Sequence, residues 1–369
     1  MTTRLAVLAI VVAVLGFAGQ SPAQQSPGDI ISPSAASQGQ PSFSGPAASP
    51  QPESGQGPCD CRPGACCIPN WSVYSELLYL RPGNANIPFG VPINGAIAPP
   101  AGVAPVQVGP EGVVDHYYQP AFRLGFRCAL DDCGSLGGSY TQFDHNAAAG
   151  LHVTAPTVIQ SLITHPGTFS AATDFLDSDA NDNLQFRLAD IDYRRTLCCD
   201  DLYAINYLFG CRYASLNQNF LGQFSNSTTH EAVATQVNFE GGGLRVGLDG
   251  ERHACGSGWM VYGKGDASFV GGQLRTQYTQ QDDFRGTVVS TGWNEQRVIT
   301  ILNLELGFGW VSPSGRFRAT TGYMVNGWLN MLRTSDYINA VQTNTSGVST
   351  NQANMMTFDG LVTRLEYRF

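Results

Sequence analysis

The chain has 369 residues, a formal net charge of −9 and 13% charged residues, against about 25% in an average soluble domain. Aromatics make up 10% and mean hydropathy is −0.10, which excludes a disordered chain. No apolar run of about 18 residues follows the N-terminus, which excludes a helical membrane protein. Lys264 is the only Lys among 20 basic residues, and at a sequence pI of about 5.1 no basic stripe is available for nucleic acid.

Met1–Ala23 reads as a secretory signal peptide. Arg4 supplies the positive start, Leu5–Ala18 the apolar stretch, and Ser21-Pro22-Ala23 the small residues of a cleavage site. An uncleaved anchor is disfavoured, because the apolar stretch spans only about 21 Å as a helix, short of a hydrocarbon core of about 30 Å. Residues Gln24–Gly57 are Ser, Pro, Gln, Gly and Ala with almost no apolar bulk, and are expected to form a disordered linker. A Cys-rich knot, Pro58–Pro69, closes that linker just before Asn70.

Export places the ten cysteines in an oxidising space, where disulfides persist. The adjacent Cys66-Cys67 and the single-residue gap in Cys59-Asp60-Cys61 fit the ligand spacing of zinc poorly, so disulfides are the expected use and no metal is.

From Trp71 onward apolar and polar residues alternate in runs near ten residues. Val73, Leu77 and Tyr79 share one parity, blurred by Leu78 and Leu80. Phe122, Leu124, Phe126 and Cys128 alternate with Arg123, Gly125 and Arg127. Tyr203, Ile205, Tyr207, Phe209 and Tyr213 form another face. Val298 to Trp310 carries seven apolar or Thr positions opposite Asn303, Glu305, Gly307 and Gly309, and Phe317 to Val325 continues the pattern. The chain ends on Leu361, Thr363, Leu365, Tyr367 and Phe369. Period two means strands, and no 3.6-residue stripe stands out, so the body is expected to be all-β.

Runs of this length suit a tilted membrane crossing better than the 5–6-residue strands of a soluble sandwich. Aromatics near the run ends (Trp71, Tyr79, Tyr118, Trp259, Trp310, Trp328, Tyr367, Phe369) suit the girdles of a transmembrane barrel. The short links Ala129–Gly134, Thr196–Asp200, Asp249–Ser257 and Ser312–Gly315 alternate with long ones, Pro82–Asp115, His145–Asp182, Asn217–Thr235, Gln281–Trp293 and Leu332–Met355. Short periplasmic turns alternating with long external loops predict an up-and-down antiparallel barrel of about ten strands, with eight and twelve as alternatives. That topology puts Cys128, Cys133, Cys198, Cys199 and Cys255 at the periplasmic rim beside Cys59, Cys61, Cys66 and Cys67, with Cys211 inside a strand. These nine are the disulfide candidates, within one chain or between neighbours.

The opening strand Trp71-Ser-Val-Tyr-Ser-Glu-Leu-Leu-Tyr-Leu-Arg81 after a Cys-rich stretch, Phe122-Arg-Leu-Gly-Phe126, and the Phe-terminated last strand resemble the Legionella-type major outer membrane protein family of pore-forming barrels, especially its planctomycete branch. The resemblance covers Trp71–Phe369 and rests on strand texture. It implies an outer-membrane barrel of porin-like function and transfers no catalytic residue. Phe369, with Tyr367 and Leu365 at alternate upstream positions, matches the C-terminal signal read by the barrel assembly machinery.

The face opposite the apolar one is expected to line a lumen with Glu76, Arg123, Arg127, Arg187, Arg212, Glu240, Arg245, Lys264, Asp266, Glu305, Arg318, Arg364, Glu366 and Arg368, an excess of positive charge. Either a charged constriction filters solutes there, or salt bridges seal a narrow barrel. Between Glu240 and Arg245, Gly241-Gly242-Gly243 is expected to break the register, which leaves the face of these two open. Asp177, Asp179, Asn181 and Asn183 have the alternation of a calcium loop but lack its glycine and its closing glutamate. His145, His152 and His165 fall in one predicted loop with nothing to fix their spacing. No G-x-S-x-G or H-E-x-x-H occurs, so no enzyme and no cofactor is expected. The first functional expectation is passive diffusion of small hydrophilic solutes or ions. The alternative is a structural, surface-anchoring barrel cross-linked by disulfides. Expected partners are outer-membrane lipid, the assembly machinery and neighbouring copies.

Overall fold

The period-two runs close on themselves. The computed structural model describes residues 70–95, 105–131, 133–168, 174–200, 202–254, 256–343 and 354–369. Ten antiparallel strands form the wall: β1 (Trp71–Gly83), β4 (Gln119–Ala129), β5 (Gly134–His152), β7 (Asp177–Cys199), β8 (Tyr203–Ser225), β9 (His230–His253), β10 (Trp259–Asp282), β11 (Gly286–Val311), β12 (Phe317–Leu329) and β13 (Met355–Arg368). They run in the closed order β1-β13-β12-β11-β10-β9-β8-β7-β5-β4. A second, three-stranded sheet is built from β2 (Ile87–Ile93), β3 (Gly112–Val114) and β6 (Val158–Ser161), all supplied by links. The signal-peptide, linker and Cys-knot segments lie outside the described residues, as does Cys255.

The ten-strand barrel agrees with the periodicity, but two expected loops are strand. Asn217–Thr235 is the end of β8, a tight turn and the start of β9. Gln281–Trp293 is likewise the β10–β11 hairpin. His145 and His152 belong to β5, and the first seven residues of β7 are the supposed calcium loop. In an extended strand Asp177, Asp179, Asn181 and Asn183 stand about 7 Å apart in succession on the outer face and cannot wrap one ion. Among the described residues no three His, Cys, Asp or Glu side chains form a metal-holding group.

These segments look like loops in the sequence because their outward residues are Asn, Gln, Ser and Thr. Strands β7 to β11 are 23–26 residues long, far beyond a membrane crossing, whereas β1, β4, β12 and β13 have only 11–14. One side of the barrel therefore stands taller than the other. On β8 the outward face reads Ile205, Tyr207, Phe209, Cys211 and Tyr213, then turns polar at Ser215, Asn217 and Asn219. On β9 and β10 the same change falls between Glu240 and Leu244 and between Phe269 and Gln273. On β11 the apolar stretch runs from Val298 to Trp310, which at a 45° tilt is about 29 Å high and matches a bilayer core. Trp71, Tyr79, Trp259, Trp310, Tyr323 and Phe317 sit exposed near its edges. Trp328, expected in the girdle, is fully buried and points inward. Leu304→Arg, midway down the β11 stretch, is expected to cost about 2–4 kcal/mol in urea unfolding of the vesicle-folded protein. Gln273→Arg, above it, should stay within about 0.5 kcal/mol.

The inner face of the tall wall is apolar, and the links fold back to fill it. Ile87 and Phe89 of β2, Val114 of β3 and Ile159 of β6 join Val237 and Phe239 of β9 and Leu274 and Tyr278 of β10 in one buried cluster. A short helix missed by the sequence reading, α1 (Thr334–Gln342), presents Thr334, Tyr337, Ile338 and Val341 to the same cluster at 3.6-residue spacing. Polar ties hold the filling. Tyr278 donates to the Ile163 carbonyl at 2.8 Å, and Gln218 donates to the Leu332 carbonyl at 2.9 Å. His116, on the link from β3 to β4, is buried with its ring 4.9 Å from that of His145. Burial pushes its imidazole down to about 4, so it stays neutral although the buried Asp182 carboxylate lies 3.4 Å from its Nε2.

Candidate functional site: the barrel lumen

The lumen has two layers of different chemistry. Nearer the end with long links, four rings meet: Phe143 on β5, Phe186 on β7, Trp328 on β12 and Phe358 on β13. Ring centroids are 5.2 Å apart for Phe143–Phe186, 4.7 Å for Phe186–Phe358 and 6.1 Å for Phe186–Trp328. Strands β7 and β12 are diametrically opposite, five steps apart in either direction round the barrel. A contact between them therefore spans the width of the lumen. Leu78 and Leu80, the positions that blurred the β1 pattern, pack with these rings.

Toward the short turns the inward residues become ionic. Glu76 on β1 accepts from Arg123 of β4 at 2.6 Å and from Arg364 of β13 at 2.7 Å, and is buried between them. Arg364 also lies 3.9 Å over the Tyr74 ring. Asp190 of β7 takes a two-point contact from Arg212 of β8 at 2.7 and 2.8 Å. Arg245 of β9 reaches Asp190 at 3.0 Å and forks onto Asp266 of β10 at 2.9 and 3.0 Å. Lys264 donates to Glu305 at 2.9 Å. Lower down, Arg318 of β12 meets Glu251 of β9 at 2.7 Å across three strand steps, Arg194 pairs with Asp249, and Arg368 with Glu366 at 3.0 Å. Two-point guanidinium–carboxylate geometry suits Arg and explains why nearly every cation here is Arg.

Ten of the twelve firmly expected lining residues lie within this ionic network: Glu76, Arg123, Arg212, Lys264, Asp266, Glu305, Arg318, Arg364, Glu366 and Arg368. Arg127 lines the same cavity without an ion pair. Arg187 does not belong. It is exposed on the outer face of β7, because inward positions there are even-numbered. Glu240 also faces outward, beside Tyr213. The glycine run does not break the register: Gly241, Gly242 and Gly243 pair with Gly272, Gly271 and Val270 in unbroken sequence. An odd separation then sends Glu240 and Arg245 to opposite faces. Gly243 is required by close approach, since a Cβ there would lie 1.8 Å from the Phe269 carbonyl oxygen.

Sequence reading missed Asp190, Asp192, Asp249 and Glu251, and with them Arg194. On β9, Asp249 and Glu251 share parity with Arg245, which was named as lining; on β7, Asp190, Asp192 and Arg194 share parity with Phe186, whereas the one residue named there, Arg187, has the opposite parity. With these included the layer holds nine basic side chains (Arg123, Arg127, Arg194, Arg212, Arg245, Lys264, Arg318, Arg364, Arg368) and eight acidic ones (Glu76, Asp190, Asp192, Asp249, Glu251, Asp266, Glu305, Glu366). The expected positive excess shrinks to one. A cavity of about 120 Å³ remains among them.

At the short-turn rim Cys128, Cys133 and Cys198 carry free thiols, as does Cys211 facing outward on β8, so none of these is bridged within the described part of the chain. Cys199 is disulfide-bonded, and its partner lies outside the described residues. Phe369 is exposed, with its backbone N–H on the Trp71 carbonyl at 2.9 Å.

Solved structures resemble this chain only weakly. The toluene transporter TodX of P. putida is 9% identical with a TM-score of 0.27, covering 81% of this chain and 90% of that one. Ail, the attachment invasion locus protein of Yersinia pestis, is 8% identical with a TM-score of 0.24, covering 81% and 99%. A FadL homologue of Pseudomonas aeruginosa is 8% identical with a TM-score of 0.24, covering 83% and 96%. No curated protein matches the sequence. The sequence pattern of the family described as Legionella pneumophila major outer membrane protein precursor matches residues 63–369, which include the whole wall and its lumen. This chain, a closed ten-strand barrel with an apolar outer belt, belongs to that family of outer-membrane proteins.

Proposed function

We propose that this protein is an outer-membrane barrel with a shut lumen, which holds its tall polar wall and link-built sheet at the cell surface and does not pass hydrophilic solutes by open diffusion. The observation that carries this reading is the Phe186–Trp328 contact across the full width of the barrel, at 6.1 Å. An aromatic septum excludes hydrated ions, and the paired charges below it leave one uncompensated cation rather than a selectivity ring. Planar-bilayer recording of the folded chain tests it. The expected result is silence, with folding checked by heat-modifiable gel mobility. Uniform current steps on every insertion would overturn it in favour of passive diffusion, which the cavity in the ionic layer supports.

The rest of the envelope reading is carried with this proposal. The short-turn end, which holds both Trp71 and Phe369, faces the periplasm after signal-peptide removal. Phe369, Tyr367 and Leu365 serve as the insertion signal. Free thiols at Cys133 and Cys198, both exposed, are positioned to bridge to neighbouring copies, which matches the anchoring role. Non-reducing electrophoresis of envelope fractions is expected to show ladders that collapse on reduction. Monomer alone under both conditions would remove the cross-linking part.

A further inference from the structure

We infer that the ionic layer of the lumen is a binding site for a small oxyanion of the phosphate type, centred on Arg127. Every other cation of the layer has a carboxylate within 4 Å, but no carboxylate stands within that distance of Arg127. Its charged neighbours are Arg194, Glu366, Arg364 and Asp249. Both acids among them are already engaged: Glu366 with Arg368 at 3.0 Å and Arg364 at 3.9 Å, Asp249 with Arg194 and with Asn206 at 3.0 Å. Two further guanidinium groups therefore face Arg127 with no anion left over to separate them.

The surrounding hydrogen-bond inventory has the same bias. Ser72 is directly cross-strand from Arg127 on the same inner face, and its buried hydroxyl has no partner. The Nε groups of Arg194 and Arg318 are also buried without one. A lone buried donor costs free energy until something accepts from it, and three donors of this kind beside an uncompensated cation select an acceptor carrying negative charge. Arg127, Arg194 and Arg318 all line the 120 Å³ cavity, which has room for several waters or one four-oxygen anion. Three lone acceptors oppose this bias: Asp192 Oδ1 and Glu366 Oε2, each on a carboxylate already bound to Arg245 or Arg368 through its other oxygen, and Asn303 Oδ1, on an uncharged amide whose Nδ2 donates to Asp266. The inference does not depend on whether the barrel conducts.

Isothermal titration of the full folded chain in detergent with inorganic phosphate, in chloride buffer of constant ionic strength, tests the site. One phosphate per barrel is expected. Arg127→Gln should weaken it about ten- to hundredfold and Ser72→Ala about two- to tenfold. Arg127→Lys, which keeps the charge and guards against a folding failure of the glutamine variant, should bind between the two. Arg187→Gln, on the outer face, should bind as the parent does. Equal binding by parent and Arg127→Gln, or no saturable binding at millimolar phosphate, would overturn the inference. So would a response that chloride alone reproduces.

Discussion

The Phe186→Ala/Phe358→Ala double variant is expected to pass current where the parent barrel is silent. Phe186 touches each of the other three rings, and Phe358 closes the gap to Trp328 at 6.4 Å. Removing both leaves a void across the lumen's full width, lined by Phe143, Trp328, Leu78 and Leu80. The ionic layer below would still narrow the path, so the openings should be small and brief rather than porin-sized. The cost in stability is large, because truncating a buried Phe to Ala typically loses about 3–5 kcal/mol. Planar-bilayer recording checks the current, and urea unfolding in micelles checks that the variant is folded when recorded. A folded but silent double variant would mean that the ionic layer below, or the link-built filling above, seals the barrel without these rings.

Glu76→Gln carries the second large effect. The substitution keeps shape, removes one charge and turns one acceptor into a donor, so one guanidinium loses its contact: Arg123 would fall back on the Thr141 hydroxyl at 2.9 Å, or Arg364 on Glu366 at 3.9 Å and the face of Tyr74. Breaking a buried ion cluster on one side costs about 3–5 kcal/mol, because the remaining charges stay desolvated without compensation. A matching drop in the urea midpoint is the expected reading. Adding Arg123→Gln should restore part of it, since the double variant removes one of the two stranded cations. If Glu76→Gln unfolds at the parent midpoint, the cluster is hydrated and contributes little to holding β1 between β4 and β13.

The contrast between these two layers explains which expectations held. In the lower wall, apolar residues face lipid and charges face in, so β4, β11 and β13 alternate cleanly, as does β1 up to Leu77, and their lining residues could be named. In the upper wall of β7 to β11 the polarity inverts: Phe220, Val237 and Leu274 point in, while Asn217, Asn238 and Gln273 point out. Alternation survives inversion, but a run rich in Asn, Gln, Ser and Thr looks like a loop when only its composition is weighed. That is why the β8–β9 and β10–β11 connections were drawn too long, and why Asp177–Asn183 suggested a cation loop. Arg187 was misplaced for a related reason. It lies where β7 changes regime, and a charged residue there was credited to the lumen although Phe186 and Leu188 on either side own the inner face.

Sequence by itself determined that this chain is a β-barrel of about ten strands with a charged inner face, because period two and run length follow directly from strand geometry and bilayer thickness. It also carried the family resemblance that the match over residues 63–369 shows. Only the tertiary structure brought the rings together across the lumen. Phe186 and Trp328 are 142 positions apart on opposite walls. Whether such rings meet depends on barrel radius and strand register, which arise from closure of the whole sheet and leave no local pattern. Pairing of the charges has the same origin: apart from the Arg364–Glu366–Arg368 run on β13, each carboxylate of the ionic layer finds its cation on another strand, so their balance becomes countable only after every strand has taken its place in the wall.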